Sequence, residues 1–389
     1  MPVINRVADL TDDIVAWRRD FHAHPELLFD VHRTAGIVAD KLRAFGCDEV
    51  VTGLGRTGVV GVIKGKAGGS GKVIGIRADM DALPIEEATD VAYKSTVPGA
   101  MHACGHDGHT AMLLGAAKYL ADTRNFDGTA IVIFQPAEEG GAGGDEMVKD
   151  GLMERFGVQE VYGLHNMPGI PVGNFAIRPG PMMAAADRFD IVVEGQGGHA
   201  ARPHAGIDPL MVASQIVVAL QTIVSRNVDP LESAVVSVCA FKAGETHNVI
   251  PQTAHLMGTV RTLTPEIRDL CETRIKAVAE SIATAFGAKA SVTYNRGYPV
   301  TFNHADQTGF MAMVAEDIAG PGGVDTTIPP VMGAEDFSFM LEKRPGAYIF
   351  LGNGDTAGVH HQAYDFNDEA IPYGVSLWAK IVETAMPAR

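Results

Sequence analysis

The nine residues from Met101 to His109, M-H-A-C-G-H-D-G-H, decide how this chain is read. Four of their side chains, His102, Cys104, His106 and His109, are able to ligate a metal. Glycines at 105 and 108 let the backbone turn tightly enough for several of them to face one point. Thiolate together with imidazole suits zinc or a similar divalent metal. An apolar run of helical period follows at once (Met112, Leu113, Ala116, Tyr119, Leu120), so the stretch is a loop feeding a helix over about 108–122. Short apolar runs on either side, Lys72 to Arg77 and Thr129 to Phe134, read as buried strands. Strand, loop with helix, and strand again make an α/β unit with a mostly parallel sheet.

Outward from there the alternation continues. Amphipathic helices are expected over 7–23 and 33–45, the second stopped by Gly46, with a strand over Gly58 to Ile63 and a turn at 65–71. Glu160 to Leu164 and Ala347 to Leu351 complete the strands of this domain, with a helix near 307–319 and a final one closing the chain. From about Asp187 the texture changes to β-α-β-β-α-β, the order of a ferredoxin-like unit. Its strands are Phe189 to Val193, Ala234 to Phe241, Ala254 to Arg261 and Lys289 to Tyr294. Its helices are Ile207 to Ser225 and one opened by Thr264-Pro265-Glu266. The expected organisation is therefore a catalytic domain over 1–186 and 296–389, interrupted by an inserted ferredoxin-like α+β lid or dimerisation domain over 187–295.

A chain of 389 residues is long for one core, which agrees with two domains. With 46% hydrophobic and 20% charged residues it is globular rather than disordered. Its net charge of −16 and lack of any basic run argue against nucleic acid or an anionic membrane as partner. No apolar run is expected to span a bilayer, and the N-terminus lacks a signal-peptide layout, so a cytoplasmic location is expected. Cys47, Cys104, Cys239 and Cys271 form no disulfide framework, and Cys104 alone stands in a chemically active context.

Asp81, Glu138, Glu139 and His165 each fall just past the C-terminal end of an expected strand, the edge where ligands bind in open α/β sheets. With Cys104, His106 and one of His360 or His361, that edge offers a ligand set for two divalent metals. Adjacent glutamates on a regular strand diverge, so one of the pair ligates and the other serves as a base. A water shared by two metals has a lowered pKa, and a nearby carboxylate can pass its proton to a leaving group. That is metal-assisted hydrolysis of an amide or ester. Asp81 fits a role behind the ligands, holding one in place. Ligation by Cys, His and Glu accepts zinc or manganese, with cobalt or nickel also compatible. His22, His24 and Glu26 read as caps of the first helix with no catalytic role, and Gly141-Ala142-Gly143-Gly144 lacks the lysine of a phosphate loop.

These motifs resemble those of the metallopeptidase superfamily that contains aminoacylases, carboxypeptidase G-type enzymes and succinyl-diaminopimelate desuccinylases. The closest resemblance is to its branch of hippurate hydrolases, N-acyl-amino-acid amidohydrolases and auxin–amino-acid conjugate hydrolases. The matching stretches begin with W-R-R-D-F-H-A-H-P-E at 17–26, R-A-D-M-D-A-L-P-I at 77–85 and the loop at 101–109. They continue with Q-P-A-E-E-G at 135–140, G-L-H at 163–165, G-H-A-A-R-P-H at 198–204 and N-V-I-P at 248–251. M-G-A-E-D-F at 332–337 and Y-D-F-N-D-E at 364–369 complete the series.

The resemblance implies Glu138 as general base and acid, and Cys104, His106, Glu139, His165 and His360 as ligands of two metal ions per subunit. His360 is preferred to His361 because it stands eight residues before Asp368 and twelve before Pro372. Related branches place a histidine ligand where this chain has Asp79, a change that suits Cys104 as its replacement. His199, Asn248 and Arg261 match substrate-contacting positions, His199 steadying the oxyanion and Arg261 a carboxylate. A homodimer, or a dimer of dimers, through the inserted domain is implied as well. The function expected is hydrolysis of N-acyl or N-aroyl amino acids by a metal-bridging hydroxide generated through Glu138. A dipeptidase or amino-acid-conjugate hydrolase on the same site is the near alternative. A non-catalytic, metal-dependent small-molecule binding protein is the distant one.

Overall fold

The computed structural model describes residues 4–66 and 69–388. The turn expected at 65–71 and the N-terminal leader reading therefore fall partly outside the described residues, at 67–68 and 1–3. The chain divides into two compact units: Met1–Met182 with Phe302–Pro329 and Asp336–Arg389, and Met183–Thr301 with Pro330–Glu335.

The first unit is built on an eight-stranded sheet. Across the sheet the order is Glu49–Leu54, Gly58–Lys64, Thr129–Gln135, Val73–Asp79, Glu160–Met167, Gly346–Gly352, Phe175–Ala176 and Val324–Asp325. The four central neighbours, Thr129–Gln135 to Gly346–Gly352, run parallel, and antiparallel pairs occur only towards the edges. Central strands such as Ala130–Gln135 are buried on both faces, which is why they are apolar without alternation. All four parallel strands end at the same edge, where Asp81, Glu138–Glu139 and His360 follow strand ends; His165, expected just past one, lies instead within its strand, which runs on to Met167.

Helix α1 (Asn5–Ala23) buries Val7, Ile14 and Phe21, and also Arg18 and His22. Helix α2 (His32–Phe45) stops at Gly46, whose φ of 82° lets its N–H return to the carbonyls of Arg43 and Leu42. Helix α3 (His106–Thr123) is buried almost all round, as a central helix must be. Glu26 does not cap α1. Its carboxylate accepts the N–H groups of Arg33 and Thr34 at 2.9 and 2.8 Å and so caps α2.

The second unit has four antiparallel strands in the order Ala234–Ala243, Thr253–Thr262, Ala185–Glu194 and Lys289–Arg296. Helices Pro209–Thr222 and Pro265–Ala285 bury Val212, Ile216, Leu220, Cys271, Ile275 and Ala279 with residues of those strands. Along Ala185–Glu194 buried residues alternate with more exposed ones, so the helices cover one face. Asp208 and Thr264 cap the two helices, each followed by proline. Segment 330–335 belongs here because the carbonyls of Val331 and Gly333 accept the N–H of Ala184. One sequence expectation is corrected. Pro209–Asn227 is long and apolar enough, by length and composition, to cross a bilayer, although a third of it is buried against its own unit.

Candidate metal centre

The loop preceding α3 and the loops following three strands converge at the sheet edge. Cys104 Sγ lies 3.3 Å from His165 Nε2, and His360 Nε2 lies 3.2 Å from Glu139 Oε1. Ligand atoms of Cys104, His106 and His165 fall within 4.8 Å of one another, as do those of Cys104, Glu139 and His360, and of His106, Glu138 and Glu139. Cys104, His106 and Glu139 each belong to two of these groups, so the groups adjoin.

The outer nitrogens are already committed. His106 Nδ1 donates to the carbonyl of Asp81 at 2.8 Å, and His165 Nδ1 donates to the carbonyl of Asn166 at 2.6 Å. Both rings are thereby fixed with Nε2 turned inward, the usual tautomer of a metal-binding histidine. His106 Nε2 is buried with no hydrogen-bond partner, while Glu139 Oε1 is met by His360 Nε2. An unpartnered inward ring nitrogen beside a buried thiol and a carboxylate fits a divalent cation, and a buried polar atom is otherwise costly. Burial, with Glu139, Glu138 and Asp79 nearby, holds the Cys104 thiol well above its ordinary range. Burial holds His165 well below its own, neutral and able to ligate. For Glu139 burial is outweighed by His360 and His106, and its carboxyl stays below the usual range.

Glu138 and Glu139 do not sit on a strand, so the strand-alternation argument does not apply to them. The strand ends at Gln135, Ala137 turns through a left-handed φ of 54°, and both glutamate N–H groups donate to the Asp81 carboxylate, at 2.9 and 3.1 Å. Asp81 thus sets the glutamate turn by its side chain and His106 by its carbonyl. His360 has a φ of 65°, uncommon for a residue with a side chain, and its N–H donates to the Ala103 carbonyl at 2.7 Å. His361 is turned elsewhere, its Nδ1 accepting the Ala363 N–H at 3.1 Å.

Of the four candidate ligands in the opening loop, two are placed otherwise. His109 donates from Nδ1 to Asp79 at 2.7 Å and accepts the Asn166 N–H at Nε2 at 2.9 Å, which uses both nitrogens. Asp79 gives its second oxygen to Arg77 at 2.7 Å, so both oxygens of that carboxylate are engaged by neighbours. His102 is buried with both nitrogens unpartnered, and no metal-capable group among the described residues includes it.

In the second unit, strand Gly198–His199 pairs with Val249–Ile250, which brings His199 and Asn248 together. The Ala200 N–H donates to the Asn248 carbonyl, and His199 Nδ1 accepts the Ala201 N–H, both at 3.1 Å. Arg261 is not part of that pair. It lies eight residues along its strand from Thr253, about 26 Å at the usual rise, and donates to Thr259 and to the Val260 carbonyl.

Sequence reading missed a buried ion network behind the site. Arg18 Nε is 2.9 Å from Asp107, beside His106, and Arg18 also reaches Asp365 at 2.8 Å and Asp368 at 3.5 Å. His22 faces Asp107 at 2.8 Å and Glu87 at 3.3 Å, with Tyr93 edge-on to its ring. Burial and Arg18 oppose its charge, but the two carboxylates prevail and push it up to about 9 from 6.5. A pKa raised in the folded state gives stability that is complete below pH 6.5 and lost as pH rises through about 9. The stability gap between wild type and His22→Gln, from denaturant unfolding, should therefore shrink by roughly 3 kcal/mol between pH 6 and 10. A gap independent of pH contradicts a charged His22.

The fold and the inward-turned donors define the class: a metal-dependent amidohydrolase on a mostly parallel α/β sheet. A family model described as Peptidase family M20/M25/M40 matches residues 75–384, and the chain belongs to that family. It is 45% identical over 381 residues to a hippurate hydrolase of Campylobacter jejuni, covering 98% of each chain. It is 42% identical to an N-acetyl-L-cysteine deacetylase of Bacillus subtilis, over 94% of this chain and 86% of that one. Its fold matches a crystal structure of a dinuclear metal binding peptidase from Bacillus subtilis with a TM-score of 0.85 and 35% identity, covering 98% of this chain and 100% of the other.

Proposed function

We propose that the protein hydrolyses the amide bond of N-acyl or N-aroyl amino acids, releasing a carboxylic acid and an amino acid. Cys104, His106, Glu139, His165 and His360 hold two divalent ions, zinc or manganese. The bound cations supply Lewis acidity, which acidifies water and polarises the scissile carbonyl. Glu138 takes the proton of the attacking water and delivers it to the leaving nitrogen. Asp81 holds the Glu138–Glu139 turn and the His106 ring in register. By the family resemblance His199 steadies the developing negative charge and Asn248, its neighbour in the second unit, is a substrate contact; Arg261, bonded to Thr259 and Val260 away from that pair, is given no substrate role. The enzyme is cytoplasmic, as its four unpaired cysteines suit, and forms a homodimer through the second unit. Val218, Leu210 and Met211 on the outer face of helix Pro209–Thr222 supply exposed apolar surface for that contact.

The observation that carries the reading is the inward, unpartnered His106 Nε2, gathered with Cys104, Glu139 and His165. The similarity to a hippurate hydrolase and a deacetylase supports the substrate class. The test is a panel of N-acetyl, N-benzoyl and indole-acetyl amino acids with one dipeptide, each with and without chelator. Metal-restorable cleavage of an N-acyl class is expected. Metal-loaded protein that cleaves no member contradicts the proposal.

A further inference from the structure

Asn166 directly follows His165 and is completely buried. Its side-chain amide joins segments that are far apart in sequence. Nδ2 donates to the Cys104 carbonyl at 2.6 Å and lies 3.1 Å from His109 Nε2. Oδ1 accepts the hydroxyl of Tyr364, also completely buried, at 2.6 Å. The main chain of Asn166 is engaged too: its carbonyl accepts His165 Nδ1, and its N–H donates to His109. Tyr364 stands four residues after His360, and its N–H donates to the His361 carbonyl at 2.9 Å. One amide therefore touches the Cys104 loop, the His165 strand end and the segment that follows His360.

The fit around this amide is close. A Cβ on Gly105 would sit 2.2 Å from Asn166 Nδ2 and 2.6 Å from the Tyr364 hydroxyl, so the loop passes only because residue 105 is glycine. A primary amide has one acceptor end and one donor end. The tyrosine hydroxyl, by donating, decides which end faces the Cys104 carbonyl. Reversal would set the amide oxygen against that carbonyl and against His109 Nε2.

We propose that Asn166 and Tyr364 are positioning residues of the metal centre. Asn166 fixes the Cys104 main chain and the His165 ring relative to each other, and the Tyr364 hydroxyl locks the amide in the orientation that does so. The inference rests on Cys104 and His165 being metal ligands. Groups behind metal ligands typically change metal affinity 10–100-fold when removed.

Tyr364→Phe deletes one hydroxyl and leaves the ring in place. The comparison is Co²⁺ titration of metal-free protein, following binding and the thiolate-to-cobalt absorption of Cys104. Tyr364→Phe should bind Co²⁺ roughly tenfold or more weakly, with an altered thiolate band. Asn166→Asp, which places a carboxylate oxygen against the Cys104 carbonyl, should lose more. Tyr162→Phe is the control, deleting the hydroxyl of another buried tyrosine that instead donates to Glu160 at 3.0 Å, away from the site. It should titrate as wild type does. If both site variants match wild type in affinity and spectrum, the positioning role is overturned and the metal assignment stands. If wild type itself shows no thiolate band, the assignment falls and the inference with it.

Discussion

Glu138→Gln should bind its metals like wild type and turn over about 10³-fold more slowly, or worse. The substitution keeps the side chain's volume and leaves intact the main-chain hydrogen bond from residue 138 to Asp81, 2.9 Å long. What it removes is basicity. A positioned general base contributes about 10²–10⁴-fold, and in the proposed mechanism one carboxylate serves both water and leaving nitrogen. Glu139→Gln provides the contrast, because Glu139 Oε1 lies between His106 Nε2 at 3.9 Å and His360 Nε2 at 3.2 Å. That variant should lose metal as well as turnover. Turnover of Glu138→Gln within tenfold of wild type places the base elsewhere.

Cys104→Ala should strip the site of metal while barely disturbing the metal-free fold. Cys104 takes part in two of the ligand groups, one with His106 and His165 and one with Glu139 and His360. Its loss should therefore weaken both positions by more than the 10–100-fold expected for a group behind a ligand. Packing gives a different expectation. A buried thiol is a small apolar group, so metal-free Cys104→Ala should unfold within about 1 kcal/mol of metal-free wild type. Metal content by elemental analysis, read beside unfolding of the metal-free proteins, separates the two. A variant that retains two equivalents of metal excludes Cys104 as a ligand.

The central strands were legible because burial on both faces leaves an unbroken apolar run, as in Thr129–Gln135. Glu49–Leu54 was missed because an edge strand with half its residues exposed carries little apolar signal. Phe175–Ala176 and Val324–Asp325 are too short to show any period. Around the site, the gathering of candidate ligands at one sheet edge was readable, whereas the end of the strand carrying His165 and the pairing of side chains were not. Nothing local marks Arg18 as the partner of Asp107 and Asp365. On α1 it occupies a buried face alongside Ile14 and Phe21, where charge patterning predicts a solvated residue. His109 shares the loop and residue type of His106, yet α3 turns it towards Asp79 and Asn166. Distinguishing a ligand from a brace required knowing which nitrogen was already bonded.

The most direct measurement is hydrolysis of N-benzoylglycine by chelated protein as Mn²⁺ or Zn²⁺ is returned in counted equivalents. The account predicts no turnover in the metal-free protein and recovery that levels off at two equivalents per chain. Full turnover without metal, or recovery complete at a single equivalent, would contradict it.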